Sequence, residues 1–171
     1  DIGLMSLKRP GVQENGGVYL HASAFKLVAD CELKRHAKVE EAIRKLLPYN
    51  NGCEPYVFSN CYYAVRDSYR YGTPGQSWGT GTAGWFYVAL LNHVYGLKPT
   101  TAGLVIDPCL PPSWTECSVT RVFRGATYRI AFDQSAGHER VASITVDGAL
   151  LGGRVLPHAD GATYDVRVVM G

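Results

Sequence analysis

The spacing of apolar residues along the chain changes near residue 100, from a helical period to a strand period. Before that point, apolar side chains recur three or four positions apart in residues 18–35 and 37–47, which predicts two amphipathic helices. Residues 85–95 are apolar nearly all round, and this predicts a third helix that is buried on every side. After residue 100, apolar and polar residues alternate, which predicts strands over residues 118–123, 127–132, 141–146 and 164–169.

Turn-forming residues separate these elements. Gly96 directly follows the third apolar run, where a glycine is typical of a helix C-cap. Arg124-Gly125-Ala126 between two alternating runs predicts a hairpin turn, and Asp147-Gly148 predicts a further turn. Residues 49–77 are rich in tyrosine and turn formers, and we expect a long loop there with a short helix near residues 59–67.

Composition places the chain among globular proteins. Of its 171 residues, 46% are hydrophobic and 19% are charged, which is enough apolar material for a core. The net charge of +2 is too small to indicate nucleic-acid binding, and no apolar run is long enough to indicate a membrane span. The change of period predicts an α+β fold, with helical residues 1–100 followed by an antiparallel β-sandwich module over residues 101–171.

The cysteines show neither a disulfide framework nor a metal-binding pattern. They are odd in number and widely spaced, without CxxC or a Cys/His ligand spacing, which argues against zinc. We therefore expect reduced, mostly buried thiols of a cytoplasmic protein. The five are Cys31, Cys53, Cys61, Cys109 and Cys117. The first residue is Asp1 rather than Met, and the opening residues carry no helix or strand pattern, so we expect either a piece of a longer chain or a processed N-terminus.

The glycine-rich stretch QSWGTGTAGW, residues 76–85, is the first candidate for chemistry. Glycines alternate with Thr80 and Thr82 immediately before the third apolar run. Exposed N–H groups at a helix start, with hydroxyls beside them, are suited to an oxyanion such as phosphate. The spacing matches neither GxGxxG nor GxxxxGK[ST], and a tight turn packed under two tryptophans is the simpler alternative.

A second candidate is His21, at the start of the first predicted helix. A histidine at such a position is usually a structural hydrogen-bonding residue. The helix dipole disfavours its protonated form there unless an anion lies beside it. The tyrosines of residues 49–77 likewise have two readings, as sugar-stacking rings or as core residues.

Five motifs, taken together, resemble a known family. They are PGVQENGG followed by a histidine (10–21), EPYV (54–57), SWGTGTAGW (77–85), GLVIDPCLPPSW (103–114) and RVFRGATYRI (121–130). In this order and spacing they resemble the C-terminal part of the glycoside phosphorylases of glycoside-hydrolase family 94. That family includes the cellobiose, cellodextrin and N,N′-diacetylchitobiose phosphorylases, and the resemblance spans essentially the whole chain.

The resemblance implies an architecture and a reaction. Residues 1–100 would be the last helices of an (α/α)6 catalytic barrel, and residues 101–171 the C-terminal β-sandwich. The implied reaction is inverting phosphorolysis of a β-linked disaccharide, of the cellobiose or diacetylchitobiose class, to an α-sugar-1-phosphate and a free sugar. It needs no cofactor beyond inorganic phosphate as co-substrate. The implied partners are the disaccharide, phosphate, the preceding part of the same enzyme and a second subunit of a homodimer.

The resemblance also assigns roles to individual residues. His21, Thr80 and Gly81 match phosphate-binding positions, and Asn60 falls where many members carry a glutamine near the phosphate. Gln13 and Glu14 match positions that contact the acceptor sugar. Gln13 stands where cellobiose-specific members often carry a lysine, which questions glucose as acceptor and leaves room for a chitobiose-type specificity. The general acid, an aspartate, is expected upstream, so we expect no catalytic residue in this chain and no turnover by it alone.

Two other functions fit the same pattern of elements. One is a fragment of an inverting (α/α)6-barrel hydrolase, which would use water in place of phosphate. The other is a non-catalytic carbohydrate-binding module centred on residues 103–171. That region shows no exposed aromatic platform, since Trp114 lies among prolines and is expected to pack.

Overall fold

A computed structural model of the chain describes residues 3–48, 54, 56–137 and 139–171. Helices and sheets are both present, so the predicted α+β class is confirmed. The chain divides into two compact units, the first made of Asp1–Leu27 with Glu41–Ala89 and the second of Val28–Glu40 with Leu90–Gly171. The predicted domain boundary at residue 100 stays a prediction.

The first two predicted helices are present close to their expected bounds. Helix α1 spans Leu20–Glu32 and helix α2 spans His36–Leu46, after a short 3-10 turn at Gly3–Leu7. Val39, Ile43 and Leu46 of α2 are buried, whereas Lys45 and Glu41 are exposed and form an ion pair of 2.6 Å. This division is what the helical period of the sequence predicts.

The third helix begins earlier and is less buried than its sequence predicts. Helix α3 spans Thr82–Ala89 and continues into a π-helical turn at Leu90–Val94. Phe86 and Ala89 are buried, whereas Trp85 and Tyr87 are 44% and 60% exposed. The prediction of burial on every side is therefore wrong for α3, because the described residues cover one face of it.

A small three-stranded sheet replaces the short helix expected near residues 59–67. Strands β1 (Val18–Tyr19), β2 (Cys61–Tyr62) and β3 (Pro74–Gly75) pair in that order, and both pairings are antiparallel. The helix prediction is wrong because β2 has a strand on each side to take its backbone hydrogen bonds. In a helix of a few residues, those groups would largely lack partners.

A two-stranded antiparallel ladder and a larger sheet follow. Strands β4 (Leu97–Pro99) and β5 (Leu104–Ile106) form the ladder. The larger sheet has the order β6-β7-β10-β8-β9. Its four long strands confirm the four strand predictions to within two residues at each end. The strands are β6 (Glu116–Phe123), β7 (Ala126–Asp133), β8 (Val141–Val146), β9 (Ala149–Leu150) and β10 (Thr163–Met170).

The predicted hairpin turns are confirmed by their backbone angles. Arg124 and Gly125 have φ of 48° and 81°, and Asp147 and Gly148 have φ of 50° and 82°. Two consecutive residues with positive φ are characteristic of the type I′ turn that joins twisted antiparallel strands.

The larger sheet is mixed rather than wholly antiparallel. Strand β10 pairs with β7 in parallel, from Thr163 opposite Thr127 to Val169 opposite Asp133, and with β8 antiparallel. This corrects the predicted antiparallel arrangement. Side-chain alternation shows which face a residue occupies but is the same for either strand direction, so β10 could not be oriented from its sequence. The second sheet of a sandwich stays a prediction.

An ion-pair network surrounds Asp107, which directly follows β5. Its carboxylate oxygens accept hydrogen bonds from Lys34 (2.9 Å), Lys98 (3.0 Å) and Arg154 (2.8 Å). Burial alone would raise the pKa of Asp107, but hydrogen bonds from Lys34 and Lys98 outweigh burial and hold that pKa below its usual range. One carboxylate thus joins the end of α1 to β4 and to the segment after β9.

We expect Gly96→Ala to destabilise the protein far more than Gly148→Ala. Both glycines have positive φ, so each substitution incurs about 1 kcal/mol of backbone strain. A Cβ at Gly148 meets no atom within 4 Å, whereas a Cβ at Gly96 overlaps the backbone of Asp107. Denaturant unfolding of both variants measures the difference, and equal losses would contradict the assigned overlap.

We also expect Asp107→Asn to make the stability of the protein less dependent on pH in the acid range. Because folding lowers the pKa of Asp107, its stabilising effect is complete above the ordinary carboxyl pKa of about 4 and is lost as the pH falls through the lowered folded-state value. The parent should therefore lose stability more steeply than the variant as the pH falls from about 6 to about 3, the range in which a carboxyl titrates. Thermal unfolding across this range is the measurement, and parallel curves for the two proteins would contradict it.

Candidate functional site

Asn60, immediately before β2, connects the start of α1 to the glycine-rich loop. Its carbonyl oxygen accepts the N–H of Leu20 (3.0 Å), and its own N–H donates to the carbonyl of Gln76 (3.1 Å). Its side-chain Nδ2 donates to the carbonyl of Gly79 (3.1 Å). Three hydrogen bonds from one residue therefore fix two segments that are distant in sequence.

Ser59 and Thr82 support the same region from its buried side. Both side chains are fully buried. The hydroxyl of Ser59 lies 2.7 Å from the carbonyl oxygen of Cys61 and 2.9 Å from that of Gly75, and the hydroxyl of Thr82 lies 3.4 Å from the carbonyl of Ser59. The start of α3 is thereby anchored to the small sheet.

His21 lies in the first turn of α1, with its ring against Gly81. A Cβ built on Gly81 would lie 3.0 Å from Cε1 and 3.3 Å from Nε2 of His21. The rings of Phe25 and Trp85 also approach it, with centroids at 5.0 Å and 6.1 Å. A side chain at residue 81 would therefore displace the His21 ring by a few tenths of an ångström.

The two ring nitrogens of His21 have different surroundings. Nδ1 lies 3.2 Å from the hydroxyl of Tyr19. Nε2 is buried and has no hydrogen-bond partner among the described residues. A buried polar atom without a partner destabilises a fold by about 1–3 kcal/mol, so Nε2 is the clearest indication of a ligand in this region.

Thr80 directly precedes Gly81 and forms hydrogen bonds with the start of α3. Its hydroxyl oxygen accepts the N–H of Thr82 (3.1 Å) and lies 2.6 Å from the hydroxyl of Thr82. The carbonyl of Gly81 accepts the N–H of Trp85 (3.0 Å), while the N–H of Gly81 has no partner among the described residues. The structure thus brings together His21, Asn60, Thr80 and Gly81, hereafter the candidate cluster.

The two predicted sugar-binding residues lie on a separate loop. Gln13 has a φ of 46°, and its carbonyl accepts the N–H of Gly17 (2.9 Å). Glu14 is exposed and paired with Lys8, and this hydrogen bond lowers the pKa of Glu14. Within the described ranges, the hydrogen bonds of Gln13 and Glu14 stay in residues 8–17, and none reaches the candidate cluster.

Sequence reasoning missed Tyr19, which contacts His21, and named Thr82 within the glycine-rich stretch without a separate role; Thr82 contacts Thr80. Tyr19 ends β1 two residues before His21, and Thr82 begins α3 two residues after Thr80. The available signal was the hydroxyl side chain two positions from each candidate. The predicted EPYV motif is described in part: Glu54 accepts a 3.0 Å hydrogen bond from the indole of Trp78, and Pro55 lies outside the described residues.

Four of the five cysteines are described and all four are free thiols, as predicted; Cys53 lies outside the described residues. The Sγ of Cys109 lies 3.7 Å from Nδ1 of His36, and a hydrogen bond from Cys31, together with one from His36, lowers the pKa of Cys109 to about 5.

Over the same described ranges, no group of three or more potential ligands is placed to hold a metal ion. None of the described helices has the length and apolarity that crossing a membrane requires.

Comparison with known proteins gives the family. The profile of the Glycosyl hydrolase 94 superfamily, catalytic domain, matches residues 1–96, which is more than half of the chain. The chain therefore belongs to this superfamily, and the family predicted from its motifs is confirmed.

The relatives include disaccharide phosphorylases. The chain is 38% identical over 97% of its length to a 3-O-beta-D-glucopyranosyl-beta-D-glucuronide phosphorylase and 37% identical over 99% to a solabiose phosphorylase, both of Paenibacillus borealis. It is 36% identical over its whole length to an N,N'-diacetylchitobiose phosphorylase of Vibrio proteolyticus. The chain spans 22–23% of the length of these relatives.

We expect Gly81→Ala to displace the ring of His21, because the added Cβ would lie 3.0 Å from Cε1. The Cε1–H chemical shift of His21 measures this displacement. Gly79→Ala is the matched control, since a Cβ there meets no atom within 4 Å. An unchanged His21 signal in Gly81→Ala would contradict the assigned contact.

Proposed function

We propose that the candidate cluster is part of the phosphate site of a disaccharide phosphorylase. The observation that carries the proposal is the buried Nε2 of His21, which has no partner among the described residues. The N–H of Gly81 and the hydroxyl of Thr80 are further donors at the start of α3. Several donors converging at a helix start suit a dianion.

The chemistry follows from holding phosphate beside the sugar. A phosphate oxygen forms a bond to the anomeric carbon as the glycosidic C–O bond breaks, and a carboxylic acid gives its proton to the leaving oxygen. The products are an α-sugar-1-phosphate and a free sugar. The donors of the candidate cluster hold the phosphate nucleophile in place beside the electron-poor, oxocarbenium-like anomeric carbon.

The relatives support this reaction class. Their names describe phosphorylases acting on glucosyl-glucuronide, solabiose and diacetylchitobiose, and the similarity includes the segments that carry the candidate cluster. We propose that the general acid is an aspartate outside these 171 residues, so the chain contributes phosphate binding and no proton donor.

Gln13 and Glu14 are proposed to contact the acceptor sugar, and Asn60 to position the glycine loop near phosphate. Gln13 is uncharged and its neighbour Glu14 is engaged by Lys8. A neutral amide suits the hydroxyl or acetamido groups of a sugar. This favours an acceptor of the diacetylchitobiose class over one that needs a lysine at residue 13.

We propose the family architecture for the complete protein. Residues 1–100 would complete an (α/α)6 barrel with preceding helices, and residues 101–171 would belong to a β-sandwich. The exposed apolar residues of α3 fit a helix that packs against further helices. Free thiols fit a cytoplasmic location, and a homodimer is the proposed assembly.

Replacing His21 by Ala, or Thr80 by Val, should raise the KM for phosphate about 10- to 100-fold in the complete enzyme, the effect of losing a hydrogen bond to a charged ligand. Phosphorolysis of diacetylchitobiose at varied phosphate concentration measures this. Thr120→Val, on an exposed position of β6, is the control. An unchanged KM in both site variants, or release of sugar by water at the same rate without phosphate, would overturn the proposal.

A further inference from the structure

We infer that Tyr19 and Thr82 are positioning residues that fix the direction of the hydrogen bonds at His21 and Thr80. An imidazole nitrogen and a hydroxyl can each donate or accept, so neither is by itself selective for an anion. Tyr19 and Thr82 can fill the accepting positions of these two groups, which leaves the protons of His21 and Thr80 for a ligand. The inference rests on the proposed phosphate site and explains its preference for oxyanions.

At Thr80, one residue can fill both accepting positions. The backbone N–H of Thr82 can only donate, and it lies 3.1 Å from the hydroxyl oxygen of Thr80. The hydroxyl of Thr82 lies 2.6 Å from that of Thr80 and 3.4 Å from the carbonyl of Ser59, and either hydroxyl can supply the proton of the 2.6 Å bond. When a ligand accepts the proton of Thr80, Thr82 can donate from both its N–H and its O–H to the oxygen of Thr80, so both contacts between the two residues are kept.

At His21, the phenol of Tyr19 has the same effect. The hydroxyl lies 3.2 Å from Nδ1. A phenol is a good donor and a neutral imidazole nitrogen is a good acceptor, so the favoured arrangement is O–H of Tyr19 to Nδ1. The ring proton of neutral His21 is then on Nε2, the buried nitrogen that has no partner among the described residues.

The backbone completes a set of three donors. The N–H of Gly81 is always a donor, and no described residue accepts from it. With the hydroxyl of Thr80 and Nε2–H of His21, it offers hydrogen bonds to oxygens that accept and none to a group that must donate. Such a set favours the oxygens of phosphate and sulfate. Water or a sugar hydroxyl bound there would carry a proton for which the set offers no acceptor.

The test compares Tyr19→Phe, Thr82→Val and Thr82→Ser in the complete enzyme. Tyr19→Phe and Thr82→Val should each raise the KM for phosphate and the inhibition constant for sulfate about 3- to 10-fold, with little change in kcat, since each removes the partner that directs a donor. Thr82→Ser keeps the hydroxyl and should match the parent. Tyr69→Phe, a change at an exposed tyrosine, is the control for Tyr19→Phe.

A spectroscopic measurement distinguishes a role of Tyr19 in directing the hydrogen bond at His21 from a role in packing alone. In the parent at a pH where His21 is neutral, its ¹⁵N spectrum should show the proton on Nε2, and Tyr19→Phe should shift the ring toward a mixture of tautomers. Tyr19 is 45% exposed, so this variant should fold even if Thr82→Val does not. A parent spectrum with the proton on Nδ1 would overturn the inference.

The variants distinguish failure of the proposed phosphate site from failure of the positioning roles of Tyr19 and Thr82. If His21→Ala and Thr80→Val leave the phosphate KM unchanged, the proposed phosphate site itself is wrong. If those variants raise the KM but Tyr19→Phe retains both the parent KM and the parent tautomer, the site stands and the positioning roles are wrong.

Discussion

The hydrogen bonds of Asn60 are the constraint on which the candidate cluster depends. Its carbonyl takes the N–H of Leu20 at the start of α1, and its side chain holds Gly79 at the approach to α3. N–H groups in the first turn of a helix have no partner within the helix, so an outside acceptor decides how such a start is oriented. His21 and Gly81 are sixty positions apart in sequence, and the hydrogen bonds of Asn60 connect the two segments that carry them.

The same arrangement opposes stability in the absence of a ligand. A buried imidazole nitrogen without a partner reduces the free energy of unfolding, and surrounding aromatic rings and hydrogen bonds must offset that loss. Groups that act on a bound anion are commonly held at such a cost to the empty protein. Ser59 and Thr82 are buried and in contact with each other, and this contact holds the start of α3, next to Thr80 and Gly81, in place.

Sequence periodicity predicted the elements that bury a regular face. Helices α1 and α2 and the four long strands of the large sheet all follow apolar patterns of the expected period. The failures have a common cause, since β2, the exposure of α3 and the parallel direction of β10 are decided by neighbours that are remote in sequence.

The members of the candidate cluster could be predicted from the sequence, whereas their supporting residues could not. His21, Thr80 and Gly81 were identifiable from helix-start chemistry and the family motifs. Tyr19 and the supporting role of Thr82 were not identified, because a hydroxyl two positions from a candidate residue is also common in ordinary strands and helices.

The contact between Gly81 and His21 also has an evolutionary consequence. A side chain at residue 81 and an imidazole at residue 21 compete for the same space. A side chain at residue 81 would push the imidazole at residue 21 by a few tenths of an ångström, so a change at one position should affect what the other tolerates. Variation among descendants of this chain should be constrained as a pair, even though each residue lies on a different helix start.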